Sequence, residues 1–592
     1  MENRFHFKIG GLAGEGIMVT GLIFSKFAAR SGFQVFDFVE YPSLIRGGHN
    51  TYYGTISQEE VFSSHNRVDL LIALNQETVD FHQGELNPGA GIIFDPNEFS
   101  LSPIKDAKLF PIPLTKLAEK AGGKIMANTV ALGAMVYLVG GELEILNSVL
   151  KDIFSDKKQE IIANNLQAAK LGFEFAKDKF TPLTNFLSFR ETGRQLLIAG
   201  NEAIALGAIA AGVKFAAVYP MTPISSILTF LALHEKEAGI VFRQPEDEIA
   251  GINLALGASF AGVRSLVATS GGGFALMNEA LSMAGISETP LVVIFGQRAG
   301  PATGLPTWTA QEDLLYALTA AHGEYPRIVL APGDVEECFY LTAEAFNLAE
   351  FYQTPVIILV DKFVCEGHKS ISPFELRKVK IERGKLQAPN SPAFAAPSPK
   401  LGSVGDKASA GRQLSTPDSI FPRYQLSTDG ISTRAFPEKR VIVKANSDEH
   451  DEFGLDNESS ENRILQVQKR MKKLEILTRK LREPTLYGPK EADLTLVGWG
   501  STKGPILEAM SNSPEEKVNF LHLNWLAPFP AESVNRILKR ARKTLLIENN
   551  YQGQLGRLIK METGLEIKNK FLKYDGRQFY PEEIRDKIKS LI

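Results

Sequence analysis

Hydroxyl-bearing residues cluster in "VYPMTPISSILTFL", residues 218–231, where an apolar strand gives way to a helix. Prolines flank Thr222, and Ser225 and Ser226 open the helix. Open α/β sheets usually bind ligands at the carboxyl ends of their strands, and the first N–H groups of a helix attract anions. A helix cap and a proline-stiffened turn explain the same residues. The segment therefore predicts a binding site only together with its neighbours.

Acidic residues open the next helix, in "FRQPEDEIAGINLALGASFAG". Glu246, Asp247 and Glu248 stand in its first turn, where acids usually complement the helix dipole. The rest of the helix consists mostly of small residues, which allow a second helix or a cofactor ring to approach its backbone. The acids predict a helix start, and they are also candidates for binding a ligand.

Glycine-rich loops follow two further apolar runs. "ATSGGGFALMNEALSMAG" places Ser270, Gly271 and Gly272 after one of them, and "GQRAGPATGLPTWTAQEDL" places Arg298 after the other. Each loop has a purely structural explanation. Because all these residues follow successive strands of one predicted sheet, together they predict a single crevice at its carboxyl edge.

A glycine-rich turn also stands near the N-terminus, in "GGLAGEG". Gly11, Gly14 and Gly16 lie between a predicted strand and a helix, where the backbone can admit a phosphate group. Ala13 departs from the G-x-G-x-x-G pattern, so a tight turn explains the loop equally well. In "EYPSLIRGGHN", Arg46 is either a partner for an anionic ligand or an ordinary exposed arginine.

Four segments position these residues. Residues 1–185 and 190–375 alternate apolar runs with helical stretches, which predicts parallel α/β sheets. Residues 376–485 hold a Pro-, Ala- and Ser-rich stretch, expected to be a linker or mobile arm, followed by a basic helix. Residues 486–592 return to the α/β pattern, with three predicted strands.

The basic helix corresponds to "RILQVQKRMKKLEILTRKL". Its apolar residues recur at helical spacing, with basic residues between them. The predicted packing stripe consists of Ile464, Val467, Met471, Leu474 and Leu481. Such a stripe is more typical of a packing face than of a nucleic-acid or membrane contact.

Composition restricts the class of protein. The 592 residues exceed what one hydrophobic core usually supports, and a net charge of -3 gives no overall footprint for nucleic acid. No apolar run reaches the length of about 20 residues that spans a bilayer, and the start lacks the pattern of a signal peptide. Cys338 and Cys365 are too few for a disulfide framework or for the ligands of an iron–sulfur cluster. We expect a cytoplasmic protein without membrane or nucleic-acid partners.

The motifs, in their order, resemble the α subunit of 2-oxoacid:ferredoxin oxidoreductases. The matching stretches are "YPMTPISS", "EDEIAGINLALGASFAGVRS", "TSGGGFALMNEALSMAGISETPLVV" and "QRAGPATGLPT". "GGLAGEG" and "YPSLIRGGHN" resemble the γ domain that is fused to the N-terminus in some members, and "STRAFPEKRVIV" and "SDEHDEFG" resemble the third segment. Three positions depart from the family pattern: Glu15 replaces Gln, Ile224 interrupts Pro-Ser-Ser, and Ala302 replaces Ser.

This resemblance implies an α/β chain of several doubly wound open-sheet domains. Residues 1–185 would form a Rossmann-like γ domain with a candidate coenzyme A contact. Residues 190–375 would form the pyrimidine-type domain that binds thiamine diphosphate, and residues 486–592 a transketolase-C-like domain. The implied reaction is oxidative decarboxylation of a 2-oxoacid onto coenzyme A, with electrons passed to ferredoxin.

The resemblance also assigns roles to individual residues. Glu248 would bind the aminopyrimidine of thiamine diphosphate and act in catalysis, while Thr222 and Arg298 would hold the substrate carboxylate and Tyr219 would line the same pocket. The implied cofactor-binding residues are Glu248, Ser270, Gly271 and Gly272. The candidate coenzyme A or phosphate residues are Gly11, Gly14, Gly16 and Arg46, and no metal ligand is implied in this chain.

Two features that the family's complete active site needs are missing from the sequence. We find no Gly-Asp-Gly motif with following asparagines to hold a Mg-diphosphate group, and two cysteines cannot hold a cluster. The resemblance therefore implies a separate β subunit that carries the Mg-diphosphate half and an iron–sulfur cluster. A heterodimer or a dimer of heterodimers is expected.

Several alternatives stay open at this point. Among substrates, 2-oxoglutarate is favoured over pyruvate or another 2-oxoacid only because fused γα chains resemble that branch. An indolepyruvate-type relative is a second enzyme class, and a self-contained dinucleotide enzyme is a third. A Rossmann-like ligand-binding or scaffold subunit without catalytic activity is the alternative of another kind.

Overall fold

A computed structural model describes residues 4–42, 48–191, 193, 195–386, 419–436, 441–512 and 516–592. Within these residues the chain forms sheets of eight, seven, five and two strands. In chain order the strands are β1 (Arg4–Leu12), β2 (Gln34–Glu40), β3 (His49–Ser57), β4 (Val68–Ala73), β5 (Leu86–Phe94), β6 (Lys108–Pro111), β7 (Leu196–Ala199), β8 (Phe215–Val218), β9 (Val241–Arg243), β10 (Ser265–Ser270), β11 (Leu291–Gln297), β12 (Ile328–Leu330), β13 (Pro355–Asp361), β14 (His368–Ile371), β15 (Ser419–Ile420), β16 (Val441–Ile442), β17 (Thr485–Tyr487), β18 (Leu494–Trp499), β19 (Val518–Leu523), β20 (Trp525–Ala527), β21 (Thr544–Glu548) and β22 (Asn569–Leu572).

Helices connect most of these strands, as expected for an α/β chain. The α-helices are α1 (Ile17–Arg30), α2 (Gln76–His82), α3 (Leu114–Glu119), α4 (Ala127–Leu138), α5 (Leu143–Ile153), α6 (Gln159–Lys179), α7 (Gly200–Ala210), α8 (Ser225–Leu233), α9 (Glu235–Ala238), α10 (Glu248–Phe260), α11 (Gly271–Leu276), α12 (Asn278–Ile286), α13 (Leu314–Thr319), α14 (Val335–Tyr352), α15 (Lys362–Glu366), α16 (Ser460–Thr478), α17 (Lys503–Ser511), α18 (Ala531–Arg540), α19 (Gln554–Thr563) and α20 (Pro581–Lys589). Short 3-10 helices cover Gln83–Glu85, Lys124–Met126, Leu376–Lys378 and Gly500–Thr502.

The first sheet runs in the order β6-β5-β4-β1-β3-β2-β14-β7. β1, β4, β5 and β6 pair in parallel, as the alternating pattern predicts. β3, however, pairs antiparallel with both β1 and β2. Only residues 41–48 separate β2 from β3, too few for the crossover helix that a parallel connection needs. The prediction of a parallel sheet is therefore confirmed for β1, β4, β5 and β6 and wrong for β2 and β3.

The second sheet carries the predicted crevice. It runs in the order β20-β12-β13-β11-β10-β8-β9, and all neighbours except β20 pair in parallel. The apolar runs predicted as strands in this segment are β8, β10, β11, β12 and β13. Because the strands are parallel, their carboxyl ends meet at one edge of the sheet, where the candidate residues follow.

Strands from one predicted domain complete the sheet of another. β14 pairs antiparallel with both β2 and β7, so the segment 190–375 contributes two strands to the first sheet. β20, from the segment 486–592, pairs antiparallel with β12 at the edge of the second sheet. The predicted boundaries therefore divide sequence segments that share sheets.

The third sheet, in the order β17-β19-β18-β21-β22, belongs to the last segment. β18, β19 and β21 correspond to the three predicted strands, and they pair in parallel. The edge strands β17 and β22 are short and were not predicted. This sheet packs beside the second one, since Trp499 and Leu523 share a buried cluster with Phe274 and Phe295.

The predicted stripe of α16 is only partly buried. Ile464 is 56% exposed and the other four stripe residues are half-buried, whereas the fully buried side chains include Lys469, Lys473 and Leu477. Both lysines form ion pairs with the buried Glu288, which lies far away in the sequence. The helix therefore buries two lysines because the Glu288 carboxylate neutralises their charge. Helical spacing alone cannot reveal such a partner.

Two expectations concern whole segments. Most of the Pro-, Ala- and Ser-rich stretch, residues 387–418, lies outside the described residues. Across the part of the chain that the structure describes, no helix has both the length and the apolar character to cross a membrane. Cys338 and Cys365 are both buried and unbonded to each other.

Candidate active site

Three neighbouring strands bring the predicted site residues to one edge of the second sheet. Thr222 follows the end of β8, Ser270 is the last residue of β10, and Arg298 directly follows β11. The register aligns Ser270 with Gly296 across β10 and β11. β8 pairs with β10 on the other side. The structure therefore brings these predicted residues to one edge of the sheet.

The three acids at the start of α10 have different environments. Asp247 is the N-cap, and its side chain accepts a hydrogen bond of 2.7 Å from the N–H of Ala250. Glu246 is exposed, whereas Glu248 is only 4% exposed. Helix capping thus explains Asp247 alone and leaves the buried carboxylate of Glu248 without a structural role at the cap.

The carboxylate of Glu248 lies against the first turn of α11. A side chain at Gly273 would collide with Glu248 and with Thr269, so only glycine fits there. Oε1 of Glu248 is buried, and within the described residues it has no hydrogen-bond partner. Buried polar atoms are nearly always paired, so this oxygen marks a position where a donor from outside the chain is expected.

Arg298 and Thr222 are neighbours on the same side of the crevice. A guanidinium N–H of Arg298 donates to the backbone carbonyl of Thr222 over 3.2 Å. This is the single hydrogen bond that the Arg298 side chain makes within the described residues, although a guanidinium has five donors. Burial lowers the pKa of Arg298, and the nearby Asp313 opposes that shift. Tyr219, which directly follows β8, is 37% exposed.

The last residues of β10 and β11 also carry buried polar atoms without a hydrogen-bond partner. Within the described residues, Oγ of Ser270 and Nε2 of Gln297 have no hydrogen-bond partner. Ser270 belongs to the predicted set, but Gln297 was missed. It stands directly before Arg298 in the quoted loop, and its position as the last residue of a buried strand was the available signal.

Comparisons with known proteins bear on the whole chain. The family described as "Pyruvate flavodoxin/ferredoxin oxidoreductase, thiamine diP-bdg" matches residues 206–421. "Pyruvate ferredoxin/flavodoxin oxidoreductase" matches residues 6–175, and "Pyruvate:ferredoxin oxidoreductase core domain II" matches residues 492–584. The "2-oxoacid:ferredoxin oxidoreductase 2, subunit alpha" of Aeropyrum pernix is 32% identical, with 99% of this chain and 97% of the relative covered. This chain belongs to the 2-oxoacid:ferredoxin oxidoreductase α-subunit family.

Further relatives agree. The "2-oxoglutarate oxidoreductase subunit KorA" of Mycobacterium tuberculosis is 31% identical, with 99% of this chain and 91% of the relative covered. A solved structure, "2-oxoglutarate:ferredoxin oxidoreductase from Magnetococcus marinus with 2-oxoglutarate, coenzyme A and succinyl-CoA bound", has a TM-score of 0.89 and 32% identity over 100% of both chains. The predicted family, the α/β fold with a thiamine-diphosphate-binding domain and the assignment as an oxidoreductase α subunit are confirmed.

Some apolar side chains on the elements of the site are exposed. They are Ile249 and Leu254 of α10, Leu276 of α11 and Leu305 of the Arg298 loop, and Leu276 is 51% exposed.

The glycine loop between β1 and α1 has different surroundings. Glu15 folds back so that its carboxylate accepts the Leu12 N–H over 2.6 Å. Gly14 and Gly16 have φ of 93° and 76°, the left-handed region that favours glycine, and Gly16 precedes α1. Burial raises the pKa of Glu15. An anionic ligand here would meet this carboxyl, so Gly11, Gly14 and Gly16 stay predicted phosphate or coenzyme A contacts, and Arg46 lies outside the described residues.

No group of three or more His, Cys, Asp or Glu side chains is arranged to hold a metal ion in the residues that the structure describes.

Proposed function

We propose that this α subunit supplies the pyrimidine side of a thiamine diphosphate site and the carboxylate-binding side of the substrate site. The complete enzyme oxidatively decarboxylates a 2-oxoacid onto coenzyme A and passes the electrons to ferredoxin. One observation carries the proposal: Oε1 of Glu248 is buried without a partner at the crevice. Burying such an oxygen is costly unless a ligand completes its hydrogen bonds.

The residues present suit thiamine diphosphate. Glu248 would hold the aminopyrimidine ring and exchange a proton with its ring nitrogen, while the backbone of Ser270, Gly271 and Gly272 would let the cofactor approach closely. The small residues Gly251 and Ala255 keep the buried side of α10 thin. When bound, the cofactor supplies the carbon nucleophile and the electron sink for decarboxylation.

Arg298 and Thr222 are proposed to hold the substrate carboxylate. Arg298 has donors left beyond its bond to the Thr222 carbonyl, and a guanidinium binds a carboxylate through two parallel hydrogen bonds. The hydroxyl of Thr222 adds a neutral donor, and Tyr219 borders the same space. Holding the carboxylate in this way orients the 2-oxo carbon toward the cofactor.

A β subunit is proposed to complete the site. It would carry the Mg-diphosphate half and an iron–sulfur cluster, because the two cysteines of this chain are too few to hold a cluster. The exposed apolar residues around the crevice would be covered by it. We expect a heterodimer or a dimer of heterodimers that delivers electrons to ferredoxin, in the cytoplasm.

2-Oxoglutarate is the proposed substrate, and coenzyme A the acyl acceptor. The support comes from relatives: the Mycobacterium tuberculosis protein is named a 2-oxoglutarate oxidoreductase subunit, and the Magnetococcus marinus structure contains 2-oxoglutarate and coenzyme A. Use of pyruvate or another 2-oxoacid is the alternative that the assay below distinguishes.

The test is co-expression with the product of a neighbouring gene, followed by co-purification and assay. We expect a brown complex that needs coenzyme A and reduces ferredoxin with 2-oxoglutarate faster than with pyruvate. Purified alone, this chain should be colourless and should bind thiamine diphosphate weakly or not at all. A brown, active preparation of the single chain would contradict the proposal.

A further inference from the structure

Asp313 occupies a helix-capping position without capping the helix. It directly precedes α13, yet its side chain accepts no hydrogen bond from the helix N–H groups. Within the described residues its carboxyl forms no hydrogen bond and no ion pair. An Asp at this position normally satisfies the first N–H groups of the helix. The carboxyl of Asp313 is therefore not used to cap α13.

Backbone and side-chain contacts hold Asp313 in place. Its N–H donates to the side-chain oxygen of Gln297 over 3.1 Å. Next to it, Glu312 accepts the Gly300 N–H over 2.8 Å, which ties the segment to the Arg298 loop. These contacts hold Asp313 and its neighbour Glu312 beside the start of the Arg298 loop.

Residues of the segment 486–592 also hold the stretch around Asp313 in place. The side chain of Gln311 donates to the Trp499 carbonyl over 2.8 Å and accepts the Asn549 N–H over 2.9 Å. Gln554 accepts the Leu315 N–H over 2.9 Å. The position of Asp313 is thus set by the second and third sheets together.

The carboxyl of Asp313 lies close to the Gly271 turn, and its charge interacts with that of Arg298. Its Oδ2 lies 3.6 Å from the point where a β-carbon on Gly271 would be. The charged and titratable groups that act on it are Arg298, Glu312 and Tyr316. Asp313 therefore borders both proposed binding positions while it occupies neither.

We propose that Asp313 is a positioning residue that lets Arg298 accept the substrate carboxylate only when Asp313 is protonated, so that binding of the 2-oxoacid takes up a proton from solvent. An ionised Asp313 would compete for the charge of Arg298 and would repel the incoming anion. A neutral Asp313 leaves the guanidinium to the substrate. The inference rests on the proposed function of Arg298.

The proton equilibrium of Asp313 suits this role. Burial raises the pKa of Asp313 to about 7, Glu312 adds to the rise, and Arg298 opposes it. Below that value the carboxyl is neutral, and above it the anion increasingly prevails. A bound substrate carboxylate favours the neutral form further, because two anions would otherwise share one cation.

The test uses the assembled, cofactor-loaded complex and oxalate, a non-reacting analogue of the 2-oxo carboxylate. Calorimetric titration in two buffers of different ionisation heat should show uptake of part of a proton near neutral pH. The apparent Kd should rise about tenfold from pH 6 to pH 8, because only the protonated fraction is competent. In Asp313→Asn and Asp313→Ser, both the uptake and the pH dependence should disappear.

Matched controls separate this inference from the proposed function. Glu324→Gln, an exposed charge loss in the loop after α13, should keep the pH dependence of the unaltered complex. In the unaltered complex the KM for 2-oxoglutarate should follow the pH profile of oxalate binding, and in Asp313→Asn the KM should lose this pH dependence. Absence of proton uptake in the unaltered complex, or its persistence in either Asp313 variant, would overturn the inference. An unaltered complex that binds oxalate with proton uptake but turns over no 2-oxoacid would refute the proposed function instead.

Discussion

Two buried glutamates of this α subunit have opposite surroundings. Glu288, in the turn after α12, is fully buried and paired with Lys469 and Lys473 of α16. Burial alone would raise the pKa of Glu288, but these lysines and Arg423 hold it well below its usual range. Glu248 is also buried, yet one of its oxygens has no partner in the described residues. A carboxylate whose charge is neutralised stabilises the fold, whereas one left unpaired is available for chemistry.

The largest effect should come from removing the charge of Glu288. Glu288→Gln leaves two lysines buried without their counter-ion, and breaking a buried ion pair costs about 3–5 kcal/mol. We expect this loss in urea-induced unfolding of the full chain. The comparison variant, Glu248→Gln, should change the free energy of unfolding by less than about 1 kcal/mol. Equal losses in the two variants would remove the distinction between the glutamates.

Activity should show the reverse order. Glu248→Gln keeps a hydrogen-bonding side chain but cannot exchange a proton, so decarboxylation and deuterium exchange at the cofactor carbon should slow at least about a hundredfold. Assembly and cofactor occupancy should stay near normal. Glu246→Gln, at an exposed position two residues earlier, is the control and should have a much smaller effect. If Glu246→Gln were the inactive variant, the catalytic role would belong to the other acid.

The same contrast holds for two arginines, with a smaller expected effect. Arg264 pairs with the buried Glu350 over 2.8 Å, whereas Arg298 makes one hydrogen bond to a carbonyl. Arg298→Lys keeps the charge but loses the bidentate geometry, and Thr222→Ala loses the hydroxyl. Each should weaken use of the 2-oxoacid by about 1.5–3 kcal/mol, measured as kcat/KM in the complex. Unchanged kinetic constants in both variants would exclude them as the carboxylate-binding pair.

Much of the fold around the crevice could be predicted from the sequence. Buried parallel strands are continuous apolar runs, and β10 and β11 are such runs with Ser, Gly or Gln at their ends. The alternating polar residues of β3, "HNTYYGTIS", give no such signal, and the antiparallel pairing around it was missed.

Long-range electrostatics explain the other failures. α16 was assigned an apolar packing face because the pattern could not reveal Glu288, which lies in the turn after α12. Asp313 was missed for a similar reason: in "TAQEDL" it looks like an ordinary acid at a helix start, and only the fold places Gly271 and Arg298 beside it. Glu248 and Arg298 were predicted as site residues from family motifs, and their roles stay predictions.

The strands exchanged between segments bear on how the chain tolerates division. β14 holds β2 on one side and β7 on the other, so a peptide cut between residues 185 and 190 would leave both pieces with a bare sheet edge. Such edges readily pair with other strands. The N-terminal fragment should consequently bind the C-terminal fragment again through main-chain hydrogen bonds along β2. Produced alone, it would expose β2 as an unpaired edge strand and be prone to aggregate.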